Sequence, residues 1–463
     1  MLPDDILLDI FDFYRNNHSY PSSPVWKWPV LVHVCQRWRH IIFSSPQRLK
    51  LQILCTRGTP VRKYLGIWPG FPIIIDFPFF MIPTHNDEHI VIATLEHPNR
   101  VCSVKLYVTD LQLGTVVTLM QKPFPLLTHL RIASVGGNAP VFPAESLGGS
   151  APCLQEITLS GIPFPALPAL LLSASGLITL NLQNIPPAGY MSPETLRTCL
   201  AALPRLETLA IEFQSATHHS DQKYPLPVTR TVLPSLIAFH FQGVNEYLED
   251  LLARIDGPQL SRIFIAYVNQ SLDFRVPQFS KFIERSVGLQ LSPPMHASVC
   301  FDIDHVHFNL YRLTNCPGRD RAPVWTTISS DAFDLHVYDV AEVLSQFSVT
   351  LSTVIHLELD TSLDDTSQLE GADDVEWPHL FRQFPAVQML HVSCKLAEFV
   401  ALALDDTTGE TVAEALPFLD LICLEAPSAS FVETVARRFS DRPVTVVDTR
   451  NEFDIRLNSY ISK

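Results

Sequence analysis

The sequence predicts an α/β protein in which a short all-helical segment precedes a long array of repeated strand–helix units. Two observations support this fold class. A short apolar motif typical of strands recurs along most of the chain, with amphipathic helix patterns between its copies. The first residues lack that motif and show only helical periodicity. We therefore divide the 463 residues into a helical segment, residues 1–47, and an array, residues 48–463.

The composition argues against several classes of function. A formal net charge of −15 disfavours electrostatic binding of nucleic acid or of a membrane surface. The nine cysteines include no Cys-x-x-Cys pair, which indicates reduced thiols. The N-terminus shows no basic signal-peptide region, and no apolar run approaches the roughly 20 residues of a membrane span. We expect a soluble intracellular chain, cytoplasmic or nuclear.

The first predicted helix is apolar on more than one side. Pro3 suits a first helical turn, and Asp4 and Asp5 favour the positive end of the helix dipole. Apolar side chains then crowd the stretch from Ile6 to Tyr14 over an arc too wide for one face. We expect this helix to be buried on two sides.

A second helix is predicted over residues 31–42, ending before Pro46. Chains of about forty residues rarely fold without a metal, disulfides or a partner. The segment has neither metal-ligand spacing nor paired cysteines, so we expect another polypeptide to cover its apolar surface. Cys35 is expected to be a core thiol within this surface. The apolar positions are Leu31, Val34, Cys35, Trp38, Ile41 and Ile42.

The two helical segments together resemble the F-box family. That family has Leu-Pro, an acidic residue and Ile-Leu-x-x-Ile-Phe, and later Val-Cys-x-x-Trp-Arg. In this chain the acidic residue is Asp5, the final arginine is Arg39, and every other motif residue is also present. The resemblance implies docking on the Skp-type adaptor of a cullin-RING ubiquitin ligase. The loop at residues 16–25 is longer than usual, and Arg48 and Leu49 stand where a tryptophan is common. The adaptor-binding residues that the resemblance implies are Leu2, Pro3, Ile6, Leu7, Ile10, Phe11, Val34, Cys35, Trp38 and Ile41.

Beyond Pro46 the strand motif consists of an apolar residue, two variable residues, an apolar residue, one variable residue and an apolar residue. Its spacing of about 23 to 33 residues lies in the range of leucine-rich repeats. Each such unit needs its neighbours to bury its apolar edge. The copies begin at Val101, Leu127, Leu154, Leu177, Leu206, Leu236, Leu260, Val354, Val387 and Leu419.

Helix signals separate these strands. Ser192 is placed as an N-cap before Pro193, Asn245 opens a second helix, and Ser430 with Glu433 forms a capping-box pair before the last one. Upstream, strands are predicted at residues 49–53 and 73–77, with a helix at Val61–Ile67 between them. These alternations predict an irregular leucine-rich-repeat solenoid with a parallel concave sheet and helices on the convex side.

The array is expected to be interrupted near residues 298–337. Residues 298–311 alternate enough to form an inserted, β-hairpin-like strand pair. Phe333, Leu335 and Val337 are then expected to form the next strand of the solenoid.

No nucleotide, metalloprotease or nucleophile-elbow motif occurs, so we expect no enzyme activity and no cofactor. The series Asp302-x-Asp304-His305-x-His307 resembles a metal set, but strand alternation would separate the aspartates from the histidines. We therefore expect no metal site there. The pair His218-His219 fits a solvated loop, and the acidic residues between 360 and 376 fit a solvating segment or a site for a basic partner or divalent ion.

The solvent-facing residue of each motif is expected to contact a protein substrate; the alternative is that these residues are ordinary strand filler. With the F-box resemblance, this predicts the substrate-recognition subunit of a Skp–cullin–F-box ubiquitin ligase. The alternatives are an ordinary N-terminal helical cap, a leucine-rich-repeat scaffold that acts without a ligase, and an enzyme with an unrecognised loop site. The chain also resembles an expanded group of F-box proteins of mushroom-forming fungi, which implies no particular substrate. The candidate substrate-binding residues are Lys105, Arg131, Asn181, His240, Phe264, Glu358 and His391.

Overall fold

The computed structural model describes two compact units, residues 1–190 and residues 191–463. The domain boundary that the sequence places at residue 47 stays a prediction. Within the described residues, no helix is both long enough and apolar enough to cross a membrane. The described residues are 2–16, 28–45, 48–68, 70–77, 85–215, 229–268, 275–290, 294–302, 305–311, 324–329, 337–362, 376–405, 415–424, 427–439 and 444–449.

The first unit opens with three helices and continues as alternating strands and helices. Its six described strands pair in parallel in chain order. The helices are α1 (Asp4–Asn16), α2 (Trp28–Leu31), α3 (Gln36–Ser44), α4 (Val61–Ile67), α5 (His85–Leu95), α6 (Asp110–Leu119) and α7 (Leu167–Ser173). The strands are β1 (Ile53–Cys55), β2 (Ile73–Asp76), β3 (Val101–Thr109), β4 (His129–Val135), β5 (Glu156–Ser160) and β6 (Thr179–Ile185).

The junction of β3 and α6 shows how the local sequence forms each repeat. Val104, Leu106 and Val108 alternate along β3 and are buried. Thr109 ends the strand and caps α6, because its hydroxyl accepts from the backbone N–H of Gln112 while the Gln112 side chain accepts from the Thr109 N–H. At Thr109 the apolar pattern therefore changes from the two-residue period of a strand to the 3.6-residue period of a helix.

The second unit repeats the alternation but contains an antiparallel insertion. Its helices are α8 (Pro193–Ala201), α9 (Asn245–Leu252), α10 (Pro277–Arg285), α11 (Val287–Gln290), α12 (Val337–Ser345), α13 (Ser348–Leu351), α14 (Glu376–Phe381), α15 (Ala397–Asp405) and α16 (Ala429–Arg438). Its strands are β7 (Thr208–Phe213), β8 (Thr231–Val232), β9 (Ala238–Gly243), β10 (Ile255–Asp256), β11 (Arg262–Tyr267), β12 (His296–Phe301), β13 (His305–Tyr311), β14 (Val324–Ser329), β15 (His356–Thr361), β16 (Met389–Val392), β17 (Leu421–Leu424) and β18 (Thr445–Asp448).

The strands of the second unit follow the order β7-β9-β11-β14-β13-β12-β15-β16-β17-β18, while β8 and β10 form a small separate pair. Strand β13 is antiparallel to both of its neighbours, β14 and β12, whereas β14 is parallel to β11 and β12 is parallel to β15. The expected insertion is confirmed as an antiparallel element. The next-strand prediction is wrong for Val337, which begins α12, and Phe333 and Leu335 lie outside the described residues.

A buried cation joins two helices of the second unit. Arg254, which is 1% exposed, follows α9 and contacts Asp250 on that helix at 2.8 Å. Its guanidinium also lies 2.8 Å from the Glu194 carboxylate in the first turn of α8. Because a buried charge is costly unless it is paired, these two carboxylates hold Arg254 and thereby couple α8 to α9.

The predicted helix starts are accurate for α8 and wrong for α16. The Ser192 hydroxyl accepts from the Thr195 N–H, as its N-cap role requires. In α16 the cap is Ser428, whose side chain accepts from the Phe431 N–H, so Ser430 already lies inside the helix. Either serine could serve as the N-cap, and the sequence alone does not show which of the two does so.

Candidate functional site

The first three helices form a small apolar core on one side of α1. Leu7, Leu8 and Phe11 of α1 are buried together with Ile41 and Ile42 of α3. The cluster also includes Leu31, Val32, Leu49 and Leu51, and Trp38 packs against it with its ring centroid 4.8 Å from that of Phe11 in an edge-to-face arrangement.

The opposite side of α1 is apolar and exposed. Ile6, Ile10 and Phe13 are spaced at i, i+4 and i+7, so they lie along one side of the helix. Within the described residues only one side of α1 is covered, and burial of the other side by a second polypeptide stays a prediction. We call the following residues the exposed apolar set: Leu2 (52% exposed), Ile6 (45%), Ile10 (43%), Phe13 (67%), Val30 (59%) and Val34 (55%).

Two arginines fix α1 relative to the segment that follows it. The Arg37 guanidinium donates to the Asp4 carboxylate at 2.5 Å and to the Leu2 carbonyl at 2.6 Å. Arg48 donates to the Asp9 carboxylate at 2.6 Å. Arg37 lies on α3 and Arg48 follows it, so α1 is tied to α3 at Asp4 and to the segment after α3 at Asp9. These contacts set the direction in which Ile6 and Ile10 face solvent.

The second predicted helix is broken, and Cys35 is not in the core. Helices α2 and α3 are separated by a turn, and Cys35 has extended backbone angles (φ −159°, ψ 169°). Its Sγ accepts from the Trp38 N–H at 3.4 Å, so the thiol caps α3 and is exposed. The core-thiol expectation is therefore wrong, because a cysteine at helical spacing can also occupy an N-cap. Val34 next to it is exposed, whereas Ile41 is buried.

In the first unit, the candidate substrate-binding residues lie in one row across neighbouring strands. Lys105 on β3 lies opposite Arg131 on β4, and the row continues through Thr158 to Asn181 on β6. Lys105 Nζ is 3.5 Å from the Asp76 carboxylate. Arg131 forms an ion pair with Glu156. Each cation of this row is thus balanced by a carboxylate of the adjacent strand.

In the second unit the corresponding row is aromatic at one end. His240 on β9 lies opposite Phe264 on β11, which lies opposite Trp325 on β14. The ring centroids are 4.2 Å apart for the first pair and 5.6 Å apart for the second. All three are half-buried, so they present aromatic surface without being enclosed. Sequence reasoning missed Trp325, because the inserted strands do not follow the repeat spacing.

At the other end of this row, three imidazoles surround one carboxylate. Glu358 on β15 lies 3.5 Å from the His296 imidazole and 3.8 Å from that of His391. His356 stacks on His296 with ring centroids 4.2 Å apart. We call Glu358, His296, His356 and His391 the histidine cluster. Only Glu358 and His391 were predicted, because the other two do not occupy the solvent-facing position of a motif.

Burial and hydrogen bonding shift the protonation of these groups. The hydrogen bond from His296, aided by the nearby His391 and His356, lowers the pKa of Glu358 below its usual value. Burial, with the neighbouring His296, lowers the pKa of His356 to about 3. Burial also lowers the pKa of His240 to about 4, although its Nε2 lies 3.5 Å from a carboxylate oxygen of Glu212. His240 and His356 are therefore neutral at physiological pH, and Glu358 is ionised.

The proposed separation of Asp302 from His305 is wrong. Strand β12 ends at Phe301, so Asp302 lies in the turn before β13, where strand alternation does not apply. Its Oδ2 lies 3.2 Å from His305 Nε2. Asp304, the pair His218-His219 and the acidic residues between 363 and 375 lie outside the described residues.

Comparison of the chain with protein-family models and with curated proteins gives no match. The exposed apolar set and the two strand rows are therefore the features from which a function can be inferred.

Proposed function

We propose that the protein is the substrate-recognition subunit of a Skp–cullin–F-box type ubiquitin ligase. In this proposal α1, α2 and α3 form an F-box that docks on the Skp-type adaptor, and the strand–helix array is an irregular leucine-rich-repeat solenoid that binds a protein substrate. The observation that carries the proposal is the exposed apolar side of α1, where Ile6, Ile10 and Phe13 face solvent.

Burial of these exposed apolar side chains by a partner would favour association. Covering a large aliphatic or aromatic side chain is worth about 1.5–3 kcal/mol, so several such residues together give a strong drive for association. Exposed apolar side chains aligned along one side of a helix, as Ile6, Ile10 and Phe13 are on α1, are typical of a protein interaction site. The F-box resemblance supplies the identity of the partner, because Ile6, Ile10 and Val34 are residues of its motif.

Substrate recognition is assigned to the rows of side chains on the strands. The aromatic end, Phe264 and Trp325, offers apolar area, while Lys105, Arg131 and Glu358 offer charges of both signs. Taken separately, the row of each unit suits a polypeptide segment more than a small molecule. The protein itself would break no bond. It would raise the effective concentration of a substrate lysine near the conjugating enzyme of the ligase.

A pull-down with the adaptor and cullin tests the proposal. Ile10→Asp places a charge at the proposed interface without disturbing the core, since Ile10 is 43% exposed. Loss of its burial should reduce adaptor recovery by more than about tenfold. The matched control is Leu111→Asp, which places the same charge on α6 at a residue that is 90% exposed. Trp38→Ala is a poorer test, because Trp38 packs on Phe11 and its loss also destabilises the helices.

We expect the wild-type chain and Leu111→Asp to co-purify with adaptor and cullin, and Ile10→Asp to lose both. Equal recovery with all three chains would contradict docking through α1. Failure of the wild-type chain to bind either component would favour the alternative, a leucine-rich-repeat scaffold that acts without a ligase.

A further inference from the structure

The turn between β12 and β13 brings together three side chains that bind metals in other proteins. The Asp302 N–H donates to the His305 carbonyl at 2.9 Å, which closes the turn. Asp302 Oδ2 and His305 Nε2 are 3.2 Å apart, and the His305 and His307 ring centroids are 4.4 Å apart. His305 and His307 are two residues apart on β13, so both imidazoles lie on the same face of the sheet.

One ligand atom from each of Asp302, His305 and His307 lies within 4.8 Å of the others. Among the described residues, this is the only group of three or more histidines, cysteines, aspartates or glutamates that meets this distance. Ligands about 2.0–2.1 Å from a tetrahedral zinc ion are about 3.4 Å apart, so the Asp302–His305 separation already fits. The imidazole of His307 supplies the third ligand atom within the same 4.8 Å.

The third ligand is oriented by a hydroxyl on the next strand. His307 lies opposite Thr327 on β14, and its Nδ1 is 3.0 Å from the Thr327 Oγ1. That oxygen also accepts from the Trp325 indole N–H at 3.2 Å. When His307 Nδ1–H donates to the same oxygen, the imidazole has its free lone pair on Nε2, which is then the atom able to bind a metal. Outer hydrogen bonds of this kind fix the tautomer and direction of metal-binding histidines.

We propose that Asp302, His305 and His307 form a binding site for a divalent transition-metal ion, with zinc as the first candidate. Two imidazoles and one carboxylate are nitrogen-rich ligands that suit zinc and its neighbours, whereas calcium and magnesium require oxygen ligands throughout. Three protein ligands leave the fourth position to water or to a side chain of a bound partner. Asp302 and His305 are 30% and 26% exposed, so an ion can reach them and is still partly shielded from solvent.

Titration of the metal-free, untagged full-length chain with zinc chloride tests this site, read out as bound zinc per chain after gel filtration and as affinity against a chromogenic chelator. His307→Ala should weaken zinc binding by more than about 100-fold, and Thr327→Val by about 10- to 100-fold, the usual effect of losing an outer hydrogen bond. Asp302→Asn keeps the size of the side chain and removes its charge, so it tests the carboxylate even if His307→Ala impairs folding.

The matched control is His379→Ala, because His379 forms a similar pair with a carboxylate, Glu342, at 3.1 Å. We expect wild type and His379→Ala to bind one zinc ion tightly and Asp302→Asn to lose it. Cobalt bound at the site should give the visible absorption bands of a four-coordinate ion in wild type but not in Asp302→Asn. Absence of tight zinc binding in the wild type, or equal affinity in wild type and Asp302→Asn, would overturn the proposal. Neither readout depends on a ubiquitin ligase, so the metal site and the proposed function fail independently.

Discussion

Acidification is expected to destabilise the second unit through His356. Its imidazole stacks on His296, faces Glu358 and His391, and has a pKa of about 3 because burial disfavours the charged form. In an unfolded chain the pKa of histidine is about 6.5. Between these two values the unfolded state binds a proton that the folded state excludes, so the free energy of unfolding falls as the pH is lowered below about 6.5.

The magnitude follows from the two pKa values. For a single group with these values, the difference in proton binding removes about 2 kcal/mol from the free energy of unfolding between about pH 7 and pH 5. His240, whose pKa is lowered to about 4, adds a loss of the same sign. The lowered pKa of Glu358 also gives stability that is lost in acid, but only at and below the ordinary glutamate pKa of about 4.3. The interval from pH 7 to pH 5 therefore reports mainly on the histidines.

Urea denaturation of wild type and His356→Phe at both pH values measures this effect. Phenylalanine keeps a flat ring for stacking on His296 but cannot take up a proton. Its loss of stability between pH 7 and pH 5 should be about 2 kcal/mol smaller than that of the wild type. In parallel, the imidazole resonances of His356 in the folded chain should keep the positions of the neutral form down to about pH 5. An identical pH dependence of wild type and variant, or a His356 that titrates near pH 6.5, would refute this reasoning.

Two further predictions test the packing of α1 and the N-cap of α8. Phe11→Ala should lower the free energy of unfolding of the helical segment by about 3–5 kcal/mol, because Phe11 is 1% exposed. Phe13→Ala should change it by less than about 0.5 kcal/mol, because Phe13 is 67% exposed. Equal effects of the two substitutions in thermal unfolding would contradict the assigned faces of α1. Ser192→Ala should lower the free energy of unfolding by about 0.5–2 kcal/mol, because it removes the N-cap hydrogen bond from the Thr195 N–H. Ser192→Thr should keep most of that stability, because threonine can also cap a helix. Equal rates of hydrogen exchange in α8 for wild type and both variants would contradict this prediction.

Much of the alternation of strands and helices can be predicted from the sequence, because the responsible signals are local. The copies that begin at Leu154 and Leu177 each coincide with a strand, and Ser192 caps the helix predicted to follow it. Such elements depend on the period of apolar residues and on one hydrogen bond to a nearby N–H, both of which are visible within about ten residues.

The candidate surfaces were less predictable, because they depend on contacts between distant residues. The exposure of Ile10 and the burial of Phe11 depend on where α3 packs. Both residues are large and apolar, so the sequence alone does not show which of them is buried. Trp325 joins the aromatic row only through its register with Phe264. Asp302 meets His305 because β12 ends at Phe301 and the antiparallel strand β13 begins at His305, whereas the alternation argument placed these residues on one strand. Strand ends and pairing partners are set by the whole sheet and cannot be inferred from spacing alone.

The inserted strands also explain how the second unit keeps one continuous row of side chains across its antiparallel element. Three inserted strands contain two reversals, from β14 to β13 and from β13 to β12, so β12 again runs in the direction of β11 and pairs in parallel with β15. A single inserted reversal would leave β15 antiparallel to the strands before it, and the helix that follows would cross to the other side of the sheet. With the direction restored, the register carries the row from Phe264 through Trp325 to Glu358, and His307 lies beside it with its ring centroid 6.2 Å from that of Trp325. The interruption therefore extends the proposed recognition surface and supplies the ligands of the proposed metal site.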